Sequence, residues 1–396
     1  MFRIALKMLV ADRAKFFGLL FGITFTSFLV TFAASYFCGF MTQGFSLVSE
    51  NGAADVWVMD PAVDSVEQTI NIPDSALAQV RSVAGVRYAA PLALGTVDVR
   101  FPNGRFQTFQ VIGVDDATLA GAPAMIGPSA SALRAHNAVI VDAGGTSGKL
   151  ETPLSKADQW PHDGVHLDVP TRELTQGDEL LVNEQLVRVL ARSEGLPRFP
   201  PRPILYTTLA NAARILPSER HTLTFVMASA APGVSAHELA LRITQRTGLR
   251  ARSSEDFKAD TVRWFLINSE DVGDIAAMLI LAMTMGFGVT GIMLYMFTYE
   301  NQKQYAVLKA LGAPSRTLLS MIFVQAAACA LLGTGLGLGL CGIAGEIVVS
   351  MGFPFRMMWF TPLVGIVGVV LVSLTAAAIS ARPVLKLQPA VVFAGR

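Results

Sequence analysis

The chain has 396 residues, 52% of them hydrophobic and 15% charged, with a mean hydropathy of +0.48. A soluble globular protein is about 25% charged, so the composition excludes an ordinary soluble domain and points to an integral membrane protein. The formal net charge of +1 hides a division: residues 41–273 carry 20 Lys/Arg against 26 Asp/Glu, and the remainder 11 against 4.

Residues 1–15 carry Arg3, Lys7, Arg13 and Lys15. Phe16 to Ser49 is charge-free, and its most hydrophobic part, 16–40, is long enough to cross a bilayer, which takes about 20 apolar residues. It is too long for the core of a signal peptide, and CGFMTQGF follows where a small-residue cleavage site would stand. Phe21, Phe25, Phe28 and Phe32 fall on one helical face. That stripe is either a lipid-facing or packing surface or the apolar wall of a substrate path.

Residues 41–273 form the long polar middle. VWVMD (56–60), GTVDVRF (95–101) and FQTFQVIGVD (106–115) alternate as strands do, and the turn PNGR separates the last two. Pro73 and Asp74 open a helix closed before Gly85. HTLTFVMA (221–228) reads as a strand, and SAHELALRITQRTG (235–248) as a helix with a Ser cap and a terminal Gly. LRARSSEDF then reads as a strand and an exit. Two strand–helix–strand units thus bracket an insert, about 120–220, expected to be a second subdomain. In the insert, AGGTSGKL (143–150) has Ala143 and Leu150 where a phosphate loop needs Gly and Ser/Thr. His162 and His166 lie four apart beside Pro161 and Gly164, and a metal would need further ligands. No Ser/His/Asp or Cys/His set with an anchoring motif is present, so the chain is expected not to be an enzyme.

Three more charge-free runs follow, at 275–299, 317–345 and 357–381. Cys329 and Cys341, like Cys38, lie in apolar runs and read as small buried hydrophobes, without a disulfide framework or a metal site. In the third run Gly333 and Gly337 are G-x-x-x-G spaced; with Gly18 and Gly22 of the first run they are expected to serve close helix packing or dimerisation. Glu346 ends this run and is expected at the outer interface, as a solvated carboxylate or a polar contact on the substrate path. The N-terminus, the 300–316 connection (Lys303, Lys309, Arg316) and the tail 382–396 (Arg382, Lys386, Arg396) hold the basic residues of the short segments. The positive-inside bias places all three in the cytoplasm and 41–273 outside. No basic cluster argues for nucleic acid.

The segment 299–314, YENQKQYAVLKALGAP, reads as a short amphipathic helix ended by Gly312, with Pro314 beyond. A helix of this kind either lies on the membrane or docks in a partner's groove. This segment, with its Glu, its basic residue and LKALGA, resembles the cytoplasmic signature of FtsX/MacB-type ABC transporter permeases. So does the layout of one helix, a large outer domain and three helices. ALKMLVADRAKFFGLLFGI resembles the family's amphipathic N-terminal helix, and ARPVLKLQPAVVF its ending. VIVD and ILYTTLANAARIL resemble the DevC-like branch.

The resemblance implies an α-helical membrane protein with four transmembrane helices plus an α+β extracytoplasmic domain, a MacB-like porter with an inserted subdomain, in the bacterial inner membrane. It implies a homodimer with a separate ABC ATPase subunit that holds the ATP and Mg, no cofactor being held in this chain. A periplasmic adaptor and an outer-membrane channel are further expected partners, with membrane lipid around the spans. Function would be export of a hydrophobic or amphipathic substrate by mechanotransmission. The alternative is an FtsX-like non-transporting regulator of a cell-wall hydrolase. Glu300, Lys303, Tyr305, Leu308, Lys309, Leu311, Gly312 and Pro314 would couple to the ATPase, with Tyr305, Leu308 and Leu311 inserted in its groove.

Overall fold

The computed structural model describes residues 2–11, 13–123, 130–146, 148–162, 164–217 and 223–385. In chain order its elements are α1 (Phe2–Ala11), α2 (Arg13–Gly44), α3 (Ser46–Glu50), β1 (Val56–Met59), α4 (Ser75–Arg81), β2 (Val86–Arg100), β3 (Phe106–Val114), β4 (Ala138–Asp142), β5 (Glu151–Pro153) and β6 (Thr171–Glu173). There follow β7 (Glu179–Val182), β8 (Gln185–Ser193), β9 (Ile204–Thr208), α5 (Leu209–Ile215), β10 (Phe225–Ala230), α6 (Ala236–Thr247), β11 (Arg250–Ser253), α7 (Ser254–Asn268), α8 (Glu270–Glu300), α9 (Gln302–Ala310), α10 (Ser315–Ser350) and α11 (Thr361–Leu385). The chain divides into an outer unit, Met41–Asn268, and a membrane unit, Met1–Phe40 with Ser269–Arg396.

The outer unit is built on one nine-stranded sheet in the order β11-β1-β10-β2-β3-β9-β4-β8-β7. β2 serves two structures. Its first half pairs with β10, and its second half runs along β3 from Leu92↔Val114 to Arg100↔Phe106. Val99 and Arg100 also pair with Val182 and Leu181 of β7, which returns the last strand to β2. Six strands therefore close on themselves. Their inward residues, among them Val99, Phe109, Val139, Val189 and Leu205, form one buried cluster. Closure removes the unpaired edge that an open sheet would expose.

The expected insert at 120–220 shares this sheet while enclosing a core of its own. Its strands β4, β7, β8 and β9 continue the sheet of β2 and β3, joined by the parallel β3–β9 ladder. Only β5 and β6 pair apart from it. At the other end, Val56 and Val58 of β1 face α4 and α6, where Val80, Leu239 and Ile243 are buried. Trp57 and Met59 face the opposite side with Phe225 and Phe257. Ser235 caps α6 by accepting from Glu238 N at 3.2 Å, and Gly248 closes it at φ 72°. His221, expected in the strand before α6, lies outside the described residues. The expected exit after β11 is instead the 15-residue helix α7.

Glu50, at the end of α3, ion-pairs with Arg198, a residue 5% exposed. Arg198 also donates to Ser46 Oγ (3.3 Å) and Tyr206 OH (3.0 Å). Asp142 at the end of β4 accepts from Gly144 N at 2.8 Å and Gly195 N at 2.7 Å, and also bonds Ser193 Oγ. Burial pushes the Glu50 carboxyl up, with the nearby Arg198 guanidinium acting against it.

The membrane unit contains four helices long and apolar enough to cross a membrane, among the described residues: 16–44, 270–300, 315–350 and 361–382. These bounds differ from the charge-free runs. α8 takes in Asp271 and Asp274; α10 continues five residues past Gly345, through Glu346, to Ser350; and Met357 to Phe360 precede α11. Helical hydrogen bonding continues past the point at which charge becomes tolerable, so charge marks the hydrocarbon boundary rather than the helix end.

α2 turns its hydroxyls inward. Thr24, Thr26, Ser27, Thr31 and Ser35 are buried, with Thr26 Oγ1 at 2.8 Å from Gly22 O and 3.3 Å from Thr290 Oγ1. The aromatic stripe lies elsewhere on the helix: Phe21 is exposed and stacks on Phe25 at 6.1 Å, while Phe32, half-buried, approaches Phe355 at 5.3 Å. Helices in lipid gain little from the hydrophobic effect and pack through small residues. A Cβ at Gly337 would lie 2.6 Å from Ser27 Cβ and 2.7 Å from Thr24 O, and one at Gly333 would lie 2.7 Å from Ile23 Cγ2. Gly22 approaches Val289 (3.0 Å) and Gly18 approaches Met293 (3.5 Å), whereas Gly335 and Gly339 face open space. Gly18, Gly22, Gly333 and Gly337 therefore pack helices within this chain.

Candidate functional site

The connection between α8 and α10 contains α9. Asn301 ends α8 by donating from Nδ2 to Phe297 O at 2.8 Å, and its own carbonyl accepts from Tyr305 N at 3.2 Å. Gly312 (φ 89°) ends α9. Its N–H donates to Lys309 O (3.1 Å), and Ala313 N donates to Leu308 O (3.0 Å). This is the paired 5→2 and 6→1 bonding of a Schellman stop, which needs a residue that tolerates positive φ. Leu308 and Ala313 pack against the same apolar cluster. Pro314, extended at φ −68°, then starts α10. The Gly312–Pro314 turn is thus built as its sequence implies.

The faces of α9 differ from expectation. Tyr305 is fully buried in the membrane unit, in a cluster with Leu9, Leu19, Ile23, Phe297, Leu318 and Ile322. Its hydroxyl donates to Gln325 Oε1 at 3.0 Å, and Gln325 Nε2 donates to Ala5 O at 3.0 Å. Burial pushes the phenol up to about 12, against the pull of the Gln325 hydrogen bond, so it stays protonated and donating at neutral pH. Leu308 is half-buried against the same cluster. Neither Tyr305 nor Leu308 is presented for insertion into a partner. The physical reason is that α9 carries two apolar edges, and the 305–308 edge is used to fasten the helix to its own core.

The outward edge is Lys303, Val307, Leu311 and Pro314, all exposed, with Glu300 at the end of α8 exposed beside them. Val307 is 44% and Leu311 79% exposed. Lys309 is half-buried. Val307 and Gln325 are the residues that sequence reasoning missed. Gln325 could have been noticed as the single carboxamide within the charge-free run 317–345, where a polar side chain needs a partner.

Elsewhere, Glu346 is exposed in the last turns of α10. An apolar cleft of about 390 Å³ lies between α10 and α11, lined by residues including Phe323, Leu331, Gly335, Ile366, Val370 and Leu374. Phe21, Phe25, Phe28, Phe32 and Glu346 do not line it. Among the described residues no group of three or more His, Cys, Asp or Glu is placed to hold a metal. His166 Nδ1 lies 3.0 Å from Asp158 Oδ1, while His162 is exposed. In 143–150, Gly144 and Gly145 have positive φ and Leu150 is buried in the closed barrel.

Residues 276–389, spanning α8 to the C-terminal side of α11, match the family described as FtsX-like permease C-terminal. No curated protein matches the chain. Among solved structures it is similar to the periplasmic region of MacB from Actinobacillus actinomycetemcomitans, at 10% identity and a TM-score of 0.33, over 54% of this chain and 96% of that one. It is also similar to the extracellular domain of the noncanonic ABC-type transporter YknZ from Gram-positive bacteria, at 11% identity and a TM-score of 0.31, over 50% of this chain and 98% of that one. A domain of a putative permease protein from Porphyromonas gingivalis is similar at 15% identity and a TM-score of 0.32, over 52% of this chain and 90% of that one.

Proposed function

We propose that this chain, whose residues 276–389 match the FtsX-like permease C-terminal family, is the membrane subunit of an ABC exporter driven by a separate ATPase subunit. The observation that carries the reading is the outward edge of α9. Val307 and Leu311 are exposed on a helix whose opposite edge is locked to the membrane unit and whose two ends run directly into α8 and α10. Isolated helices of 9 residues do not hold together in water. This one is held by its own core and so can present an apolar edge, as partner grooves require.

In this reading α9 lies on the cytoplasmic side with both chain termini, in keeping with Lys303, Lys309 and Arg316. Two permease copies sit above two ATPase subunits. ATP-driven closure of the ATPases displaces α9 and with it α8 and α10. The outer unit converts this motion into expulsion of a hydrophobic or amphipathic substrate, with an adaptor and an outer-membrane channel completing the path in a DevC-like arrangement.

The test is co-purification in detergent with a co-expressed ABC ATPase from the same genome. Wild type retains the ATPase. Leu311→Asp and Val307→Asp lose it at least tenfold, because a charge forced against an apolar groove costs several kcal/mol. Both sites are exposed, so the chain's own melting temperature stays within the small range of surface substitutions. Full ATPase retention by both variants would overturn the docking assignment. Retention of a cell-wall hydrolase in place of an adaptor would replace export with regulation.

A further inference from the structure

The membrane unit contains a bonded path that leaves α9 by a route other than its covalent ends. The Tyr305 hydroxyl donates to Gln325 Oε1, and Gln325 Nε2 donates to the carbonyl of Ala5 in α1, each at 3.0 Å. Tyr305 is fully buried, Gln325 is 2% exposed and Ala5 fully buried. In sequence α1 lies about 300 residues from α9, so nothing covalent near the site obliges them to move together. α1 packs along α10, with Leu9 in the cluster that holds Tyr305.

We propose that Tyr305, Gln325 and the Ala5 carbonyl form a joint that makes the N-terminal helix α1 a moving arm of the α9 lever, with Tyr305 and Gln325 as its positioning residues. In its role as a lever this rests on the exporter reading above. A carboxamide has an acceptor end and a donor end. The Tyr305 hydroxyl, which donates, holds the oxygen of Gln325 toward α9 and so keeps the NH₂ aimed at Ala5. An intrahelical carbonyl at Ala5 has no need of a second donor, so the bond does not repair a helix end. It ties α1 to α10 at the level of Tyr305. The surroundings are apolar and buried, where an unmade hydrogen bond is costly. A displacement of α9 that carries Tyr305 therefore carries Gln325 and α1 with it. α1 presents Ile4, Leu6 and Val10 on its exposed side, so its motion is a motion of an apolar face at the membrane surface.

The test is amide hydrogen exchange on the full chain in lipid nanodiscs, for wild type, Tyr305→Phe, Gln325→Met and the double variant. If the three groups form one joint, each single variant speeds exchange in α1 by about fivefold, which is one hydrogen bond's worth. The double variant is then no faster than the worse single, since both break the same chain. Additive effects, or exchange in α1 unchanged in Tyr305→Phe, would overturn the joint. A second arm adds the ATPase and ATP. Wild type shows an ATP-dependent change in α1 exchange, and Tyr305→Phe loses it with the ATPase still bound. The double variant leaves no buried polar group unpaired at either position, so a purely structural role predicts that it regains the ATP response, and the joint predicts that it does not. If wild type binds no ATPase, the docking reading fails, and the first arm still decides the joint by itself.

Discussion

In the outer unit, α3 is fastened by a carboxylate and a guanidinium, Glu50 and Arg198, with Tyr206 and Ser46 around them. In the membrane unit, α9 is fastened by a phenol and a carboxamide, Tyr305 and Gln325. Both joints pin a short helix to a core from within a buried site. They differ because the costs differ. A domain surrounded by water can desolvate an ion pair if enough donors surround it, whereas Gln325 belongs to an apolar span, where each charge is expensive and neutral pairs are what remains. The same division governs the rest of each unit. The outer unit adds the pairs Arg202–Glu67 and Arg252–Asp260, while the membrane unit relies on close approach at Gly333 and Gly337. Breaking one partner of the charged joint should therefore cost most.

Arg198→Met leaves Glu50 buried without its counter-ion and is expected to destabilise the outer unit by roughly 3–5 kcal/mol, the range for breaking a buried pair. Thermal unfolding of the full chain, followed through the buried Trp57, reads the loss. Adding Glu50→Gln should restore part of it; a double variant as weak as the sum of the singles would mean that the two residues act independently.

Gly337→Leu comes next. Its side chain would enter space held by Ser27 Cβ at 2.6 Å and Thr24 O at 2.7 Å, an overpacking that costs about 1–3 kcal/mol. Gly335→Leu, which meets nothing within 4 Å, should leave melting of the detergent-solubilised monomer unchanged. Equal effects from the two would remove the distinction between the inner and outer edges of α10.

The smallest effect is that of Tyr305→Phe, about 1 kcal/mol for one hydrogen bond. Its signature lies in the pH dependence. The folded-state phenol is raised to about 12 from an ordinary value of 10.0, so its contribution is fully present below pH 10 and is lost as pH climbs through the folded value. Tyr305→Phe should remove that alkaline slope. The Glu50 joint behaves otherwise. Burial raises its carboxyl, so the protonated form is favoured in the folded state. The stability owed to that shift is present below the unfolded value and falls away as pH rises through the folded one. A stabilising trend toward acid at Glu50, absent in Glu50→Gln, would separate the two joints by sign.

What the sequence reveals follows the same physics. Charge-free runs mark the hydrocarbon and so located all four spans, but they missed helix ends such as Glu270 and Ser350, because a helix does not stop where water begins. The start of α7 was signalled by Ser253, which accepts from Asp256 N at 3.1 Å, a capping pattern passed over in LRARSSEDF. VIVD and ILYTT, noted in the sequence for their resemblance and not as strands, form β4 and β9, and nothing in them names their partners. The closing contact of β2 with β7 pairs Val99 with Val182, far apart in sequence, and alternation carries no record of the partner strand. In α9 the stop at Gly312 was legible because a Schellman turn has a residue requirement. The inward face was not, because Tyr305/Leu308 and Val307/Leu311, three and four residues apart, each share a helical face and are similar in apolarity. Only burial against Phe297 and Ile322 separates them.

On the proposed reading α9 meets an ATPase through its Val307–Leu311 edge while its Tyr305 edge stays within the chain. A photoreactive amino acid placed singly at positions 307, 308 and 311 of the full chain, expressed with the ATPase and irradiated in membranes, tests this directly. A permease–ATPase adduct is expected from 311 and 307, and from 308 only crosslinks within the chain. An intact complex that yields the ATPase adduct from 308 and none from 311 would contradict it.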